Sequence, residues 1–470
     1  MGRPLIGLRL SASLIGVLIA IPVSVVLGVV IVKEGPTLAA AGVLMVGLGA
    51  YVIERPLNAL LGAVAVLALI PYWYGHGGAN VAHLEEGLAL VWIVMMLVEP
   101  RERIRPGVAD YAVFGLMVAA ALDWWLRGGN FAALRTSFNT EVPLIFYVAG
   151  RIVAPRDSRT VLLTLVGATA LASLSLFYEF AHGSPVFQDP NSYYWSSHGG
   201  AAIFRPGGLF GSPPAAVTIT SMVALVAVSF FRQTTGRRRA LLGAAITVMI
   251  AGGFLTFTRA GWIGFGVGVL TYFAILRWRG RIRLPRWLRI VPVAAVAVVL
   301  ALPALSQTSW FQLGVKRGGT LTVRESYWTL AKRLILDSPE HLLVGRGLNS
   351  LETGARTDLG GVTADIAATP DLTINGAHNQ YIRTLLEQGI VGLALVLLWV
   401  GGTVAVVMRR VSRLPASRRP VVAALAGAFV SFLVISLADT NLRDTVSFSI
   451  VSLLTGITIT LCTSAQGEIA

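Results

Sequence analysis

The chain has 470 residues, 55% of them hydrophobic and 13% charged, with a formal net charge of +15. A soluble domain carries about 25% charged residues, so an ordinary water-soluble fold is excluded. A nucleic-acid partner is excluded as well, because the basic residues sit in short clusters between apolar blocks. The single cysteine, Cys462, rules out an intrachain disulfide and a cysteine-built metal centre.

The apolar blocks are long enough to cross about 30 Å of hydrocarbon. In lipid every backbone N–H and C=O must bond within the protein, so each block crosses as a helix. The first runs from Leu10 to Val32 behind Arg3 and Arg9. It is longer than a signal-peptide core and no Ala-x-Ala site follows, so it reads as a retained helix. Further helices are expected at 36–53, 57–73, 84–98, 108–126, 141–154, 160–181, 214–231, 240–257, 260–276, 288–305, 389–408, 420–438 and 444–463. The fold class is therefore all-α, a polytopic transmembrane bundle of about twelve to fourteen helices with a long, partly helical extracytoplasmic loop. It divides into a membrane domain (1–305), a loop domain (306–388) and C-terminal transmembrane helices (389–470).

Arginine and lysine orient this layout. With a cytoplasmic N-terminus, the inner linkers hold Arg101, Arg103 and Arg105, then Arg151, Arg156 and Arg159, then Arg232 and Arg237 to Arg239. The arginines from Arg277 to Arg289 and from Arg409 to Arg419 follow. Short outer linkers hold one or two basic residues each, which is the positive-inside pattern. Both termini are expected on the cytoplasmic side. Asp110, Asp123, Glu179 and Asp439 lie near span ends, where solvated placement is the simplest expectation. Glu179 stands out because it follows an apolar run.

Three outer segments are too elaborate for connectors. The first, His182 to Pro214, contains Tyr193-Tyr194-Trp195 and Arg205-Pro206-Gly207-Gly208-Leu209-Phe210. Its aromatic residues suit either sugar stacking or an interfacial belt. The second is the turn around Thr258-Arg259. The third is the 306–388 loop, whose length marks it as functional or disordered and whose helical signals favour the former. In it Tyr327, Trp328, Ala331, Leu334 and Ile335 recur at helical spacing over 324–336, and Asp337-Ser338-Pro339 ends that helix. Gly345-Arg346-Gly347 forms a turn that brings backbone close to a neighbour. A second helix starts at His378-Asn379, with Arg383 and Glu387 expected to pair on its exposed face. All six histidines fall on the outer side without metal-ligand spacing, so no metal site is expected.

These segments together resemble the superfamily of O-antigen ligases and O-antigen polymerases, bacterial envelope glycosyltransferases. The likeness rests on Arg324, Glu325 and Trp328, on Gly345 and Gly347, and on His378, Asn379, Tyr381, Leu385, Glu387 and Gly389. Arg205 to Phe210 is similar to the family's arginine–glycine loop, and Thr258-Arg259-Ala260-Gly261 to its Ser/Thr-Arg turn. The chain departs from the pattern at Pro213-Pro214, where the family often has Pro-Asn. The resemblance implies a metal-independent, cofactor-free transferase embedded in the lipid bilayer. Its donor would be a glycan on undecaprenyl diphosphate, and its acceptor a hydroxyl of a glycan or glycolipid such as lipid A core, on the outer side of the inner membrane.

Chemistry and residues agree on this reading. A departing lipid diphosphate develops negative charge that fixed cations can stabilise. Arg205, Arg259 and Arg324 sit where outer loops re-enter the membrane, and the guanidinium fork matches phosphate. Alternatively each snorkels to the interface or pairs with a carboxylate. The attacking hydroxyl must lose a proton, and histidine's reference pKa of about 6.5 suits a general base. His378 is the candidate, unless it merely caps its helix. Asn379, Tyr381, Gly207, Gly208, Gly345 and Gly347 are expected substrate contacts. Glu387 reads as a surface or packing residue. A surface-polysaccharide polymerase of the same superfamily is the nearest alternative. A lipid-linked glycan flippase is the other, though no internal repeat supports alternating access.

Overall fold

The computed structural model describes residues 56–69, 106–126, 142–187, 195–198, 201–278, 331–348, 378–442 and 444–464, with 89, 90, 92, 93, 96, 328 and 329. The expected spans at 10–32, 36–53 and 288–305 lie outside these residues. The described helices are α1 (Pro56–Leu69), α2 (Val108–Leu126), α3 (Ile145–Ile152), α4 (Pro155–His182), α5 (Pro213–Phe231), α6 (Gly236–Leu255) and α7 (Arg259–Trp278). They continue with α8 (Pro339–Val344), α9 (Gln380–Arg410), α10 (Arg419–Ile435) and α11 (Thr445–Thr463). Six helical runs among them are long and apolar enough to cross a bilayer: α4, α5, α6, α7, α11 and Gln380–Arg413. The architecture is a polytopic helical bundle, as the apolar blocks predict.

One feature breaks the all-helical pattern. An antiparallel hairpin pairs β1 (Trp195–His198) with β2 (Ala201–Phe204), in the register Trp195 to Phe204 and His198 to Ala201. Hydropathy reasoning could not show it, because the pairing lies outside any apolar block.

Two helices start a turn earlier than their apolar blocks. α4 begins at Pro155 rather than 160, with proline in its first turn where a missing N–H costs nothing. α6 begins at Gly236 rather than 240, so Arg237 to Arg239 are helical. Arginine stems run along apolar surface while the charge stays wet, so basic linker residues extend the helices. Arg239 lies over the Phe231 ring, 4.6 Å from its centroid.

The core is almost entirely inter-helical. α5 is sheathed on most sides, with Ala216, Ile219, Val223, Ala224 and Leu225 fully buried against α6 and α10. α7 lies along α10, and α3 crosses α11. At the α7–α10 crossing, a Cβ on Gly268 would stand 2.7 Å from the Gly427 carbonyl oxygen, so only glycine permits that approach. Small residues at crossings are how helices associate where lipid offers no hydrophobic drive.

The bundle has two polar ends. At one, Arg151 donates from Nε to Asp110 Oδ1 at 2.7 Å, and Tyr147 donates to the same oxygen at 2.9 Å. Arg151 also reaches Asp110 Oδ2 and the Thr460 hydroxyl. Nearby, Arg418 donates to the Leu461 carbonyl and Ser464 hydroxyl. Asp110 is thus held in an ion pair with an arginine that is only 7% exposed, rather than being solvated as expected. The arginine and the aspartate share one level because α2 and α3 both place their polar residue one turn from that end.

Candidate active site at the opposite end of the bundle

Arg205 is placed from beneath. The last turns of α4 present Ser175 and Glu179, and Glu179 is fully buried. Its Oε2 accepts from the backbone N–H of Gly207 at 3.1 Å and of Gly208 at 2.8 Å. Its Oε1 accepts from Val186 and Phe187 N–H at 3.0 and 2.7 Å. Ser175 Oγ accepts from Leu209 N–H. Gly208 has φ +55°, and a Cβ there would collide with Ser175 Oγ, so this turn requires glycine. Solvated placement is therefore overturned for Glu179 as well. An acceptor with four lone-pair sites is what four converging N–H donors need.

Arg205 itself spans to the second segment. Its Nε donates to the Thr256 carbonyl at 3.1 Å and its Nη2 to the Thr258 hydroxyl at 2.8 Å. Thr256 and Thr258 belong to the tight link between α6 and α7, whose first residue is Arg259. Arg205 and Arg259, 54 positions apart in sequence, are thus brought to one place by an arginine that clasps the turn carrying the other. Phe257, between the two threonines, has φ +51°.

The third segment is the His378 helix. Asn379 is the N-cap of α9, its Oδ1 accepting from Tyr381 and Ile382 N–H at 2.9 and 3.1 Å. Its amide donates to the Leu437 carbonyl, and the Tyr381 hydroxyl donates to the Leu433 carbonyl at 2.7 Å. His378 stands just before the cap, half-buried, with φ +45°. Phe257 and His378 are the positive-φ non-glycine positions among the described residues. Such backbone costs on the order of 1–3 kcal/mol and persists where its surroundings impose it, which happens most at active sites.

α9 is really two helices. Gly389 has φ +65° and ψ −166°, a region open essentially to glycine, and the ladder breaks there. The break orphans the carbonyls that end the 380–388 segment. The Gly345–Gly347 turn caps them: Arg346 N–H donates to the Leu386 carbonyl and Gly347 N–H to the Glu387 carbonyl, both at 2.8 Å. A Cβ on Gly345 would collide with the Glu387 backbone, and one on Gly389 with the Leu343 carbonyl. The neighbour expected for this turn is therefore the α9 kink. Around it a small core forms, in which Ala331, Ile335 and Leu386 are buried with Leu334, Leu342, Ile382 and Leu385 packed on them. The helical spacing read at Ala331, Leu334 and Ile335 is the face that makes this contact. Ser338 caps α8 by accepting from His341 N–H. His341 Nδ1 lies 2.5 Å from Asp337 Oδ1, and Arg346 pairs with the other oxygen.

Arg383 and Glu387 do pair, at 2.8 Å, but not on an exposed face: they are 4% and 5% exposed. The capping turn and α2 cover the side of the helix that the apolar stripe Tyr381-Ile382-Leu385 leaves open. Leu348 N–H reaches Asp123 near the end of α2. The pair lines a cleft shared with Gln380, Thr384, Trp399 and Phe448.

Packing joins the three segments. A Cβ on Gly261 would strike the Val217 side chain, so the start of α7 lies on the start of α5. One residue on, the Thr218 hydroxyl donates to Asn441 Oδ1 at 3.0 Å, and Asn441 donates to the Ser436 hydroxyl. The Ser436 carbonyl accepts from Gln380 N–H, and Gln380 Oε1 accepts from Leu442 N–H. Arg205, Arg259 and His378 thus share one end of the bundle. Gln380, Ser436 and Asn441, which knit it, carry no sequence signal beyond being polar beside apolar runs. The hydrogen-bonding groups of Gly207, Gly208, Gly347, Asn379 and Tyr381 described above bond within the protein. Arg324, Tyr193 and Tyr194 lie outside the described residues.

A family model described as O-antigen ligase matches residues 244–397. That stretch holds Arg259, the whole 306–388 segment and the kinked start of α9, while Arg205 precedes it. No curated protein matches the chain. The matched stretch contains the Arg259 turn, the capping glycines and the His378 helix that the fold gathers, so this part of the chain is similar to the O-antigen ligase family.

Proposed function

We propose that the protein transfers a glycan from an undecaprenyl diphosphate carrier to an acceptor hydroxyl of a glycan or glycolipid at the extracytoplasmic surface of the bacterial inner membrane. The acceptor oxygen attacks the anomeric carbon as the carbon–oxygen bond to the diphosphate breaks. His378 takes the hydroxyl proton, and the leaving diphosphate keeps the electron pair. Arg259 and Arg205, with Arg324, neutralise the charge that develops on it, in place of a metal ion. Asn379 and Tyr381 set the helix that carries His378. Gly207 and Gly208 shape the loop that carries Arg205, and Gly345 and Gly347 hold the kink at Gly389. The residues expected as substrate contacts thus serve by placing others.

The observation that carries this reading is backbone strain. Positive φ at non-glycine residues falls at His378 itself and at Phe257, two residues before Arg259. These are the positions the chemistry needs to hold rigidly. The test is transfer in proteoliposomes from the lipid-linked glycan of the source membranes to candidate acceptors, with and without EDTA. Transfer that survives EDTA and is lost in Arg259→Ala supports the reading, and strong EDTA inhibition rejects the arginine scheme. Movement of labelled lipid-linked glycan across the bilayer without transfer would favour a flippase instead.

A further inference from the structure

We infer that Glu179 is a positioning residue for this transfer: its buried carboxylate clamps both stems of the 183–212 segment and thereby sets Arg205 against the Arg259 turn. This role rests on the proposed part of Arg205 and goes beyond it, because both Glu179 oxygens accept from backbone N–H groups.

Glu179 sits near the end of α4, fully buried, among apolar neighbours such as Leu176. One oxygen takes the N–H groups of Val186 and Phe187, where the chain leaves α4. The other takes those of Gly207 and Gly208, where it returns. Between these stems lies the β1–β2 hairpin, which delivers Phe204 directly to Arg205. Pro206 then fixes φ between the arginine and the clamped glycines. The guanidinium in turn grips Thr256 and Thr258. A single carboxylate is thus the fixed point from which Arg205, and through it the Arg259 turn, take their position. Hydrogen bonds from N–H to a carboxylate are about twice as strong as neutral ones, so one side chain can hold two strands of loop. Glutamine cannot replace it. Its amide nitrogen is a donor and would face at least one of the N–H pairs.

The experiment is a double-mutant cycle on the full-length protein in proteoliposomes, using wild type, Glu179→Gln, Arg205→Ala and both together, with the lipid-linked glycan of the source membranes as donor. Glu179→Gln is expected to lower kcat about tenfold or more, with the acceptor KM within about twofold. Arg205→Ala is expected to lower it further, and the double variant to match Arg205→Ala within about twofold. A full Glu179→Gln penalty persisting on the Arg205→Ala background overturns the inference. Normal transfer by Arg205→Ala defeats the arginine scheme first and this inference with it.

A second readout is independent of turnover. The maleimide labelling rate of Leu209→Cys should rise about tenfold when Glu179→Gln is added, and an unchanged rate overturns the clamp. Should Glu179→Gln fail to assemble, Ser175→Ala loosens the same turn at Leu209 while keeping the charge. It should speed labelling severalfold and slow kcat in step, and faster labelling with unchanged kcat overturns the positioning role.

Discussion

Arg151 and Arg205 lie at opposite ends of the bundle and are held in opposite ways. Arg151 is buried, with its fork on the Asp110 carboxylate and a further bond to Thr460. That arrangement neutralises the charge within the protein and ties α2, α3 and α11 together. Arg205 is half-buried and bonds the Thr256 carbonyl and the Thr258 hydroxyl. Its contacts orient the side chain at a turn that carries a second arginine. On the proposed function, the Asp110 pair serves the architecture and the Arg205 contacts serve the transfer.

Substitution should separate the two ends, and the largest effects belong to the end proposed to carry the transfer. Arg259→Ala and His378→Ala are each expected to lower transfer by about a hundredfold or more while the protein still folds and inserts. Rates in proteoliposomes, set beside detergent-solubilised melting curves, check this. A variant that melts early instead would put these residues in the same class as Arg151. Arg151→Ala should show the reverse. Removing one partner of a buried pair costs about 3–5 kcal/mol, because the other charge is left unmatched. Its melting temperature and yield should fall, while the folded fraction transfers at nearly the normal rate. Gly389→Ala is the intermediate case. Any side chain at that φ and ψ is strained by about 1–3 kcal/mol, and here it also displaces the Leu343 carbonyl. Thermal unfolding should register the strain, and transfer should fall with it, since the 380–388 segment follows directly on His378 and its neighbour Asn379, the cap.

Much of this was legible in the sequence, for a physical reason. Apolar length fixes where helices run, so α2, α5, α7 and α11 begin and end within two residues of the expected places. The helical face at Ala331, Leu334 and Ile335, the break at Gly389 and the role of Gly345 as a close backbone approach follow from local rules as well. What stayed hidden depends on neighbours distant in sequence. Glu179 is visible as a misplaced acid, yet its four N–H donors come from 7 to 29 residues away. Arg383 and Glu387 have the right spacing to pair, but spacing cannot show that α2 and the Gly345–Gly347 turn would bury them. The Asp110–Arg151 pair joins helices 41 residues apart. The β1–β2 hairpin lies where hydropathy is silent.

Asp444 gives the smallest predicted effect and the finest test of how the two ends differ. It caps α11, accepting from Ser447 N–H at 2.7 Å, on the loop that also places Leu442 against Gln380. Burial pushes its carboxyl up to about 6 from an ordinary 3.8, against the pull of its hydrogen bonds from Ser447, and Asp439 adds to the rise. The folded state therefore holds a proton that the unfolded chain releases first. Stability from this group is fully present below the unfolded value, falls as pH rises from about 4 to about 6, and stays at the lower level above that. An asparagine at this position would keep a good cap without the charge. Asp444→Asn should thus raise the melting temperature by about 2 °C at pH 7.5, with the gain vanishing below about pH 4. An acidic group at the Arg151 end has its compensating cation within the protein, and Asp110→Asn should destabilise at neutral pH instead. If Asp444→Asn also destabilised at pH 7.5, the Ser447 hydrogen bond would outweigh burial, and this end would hold its charges as the other one does.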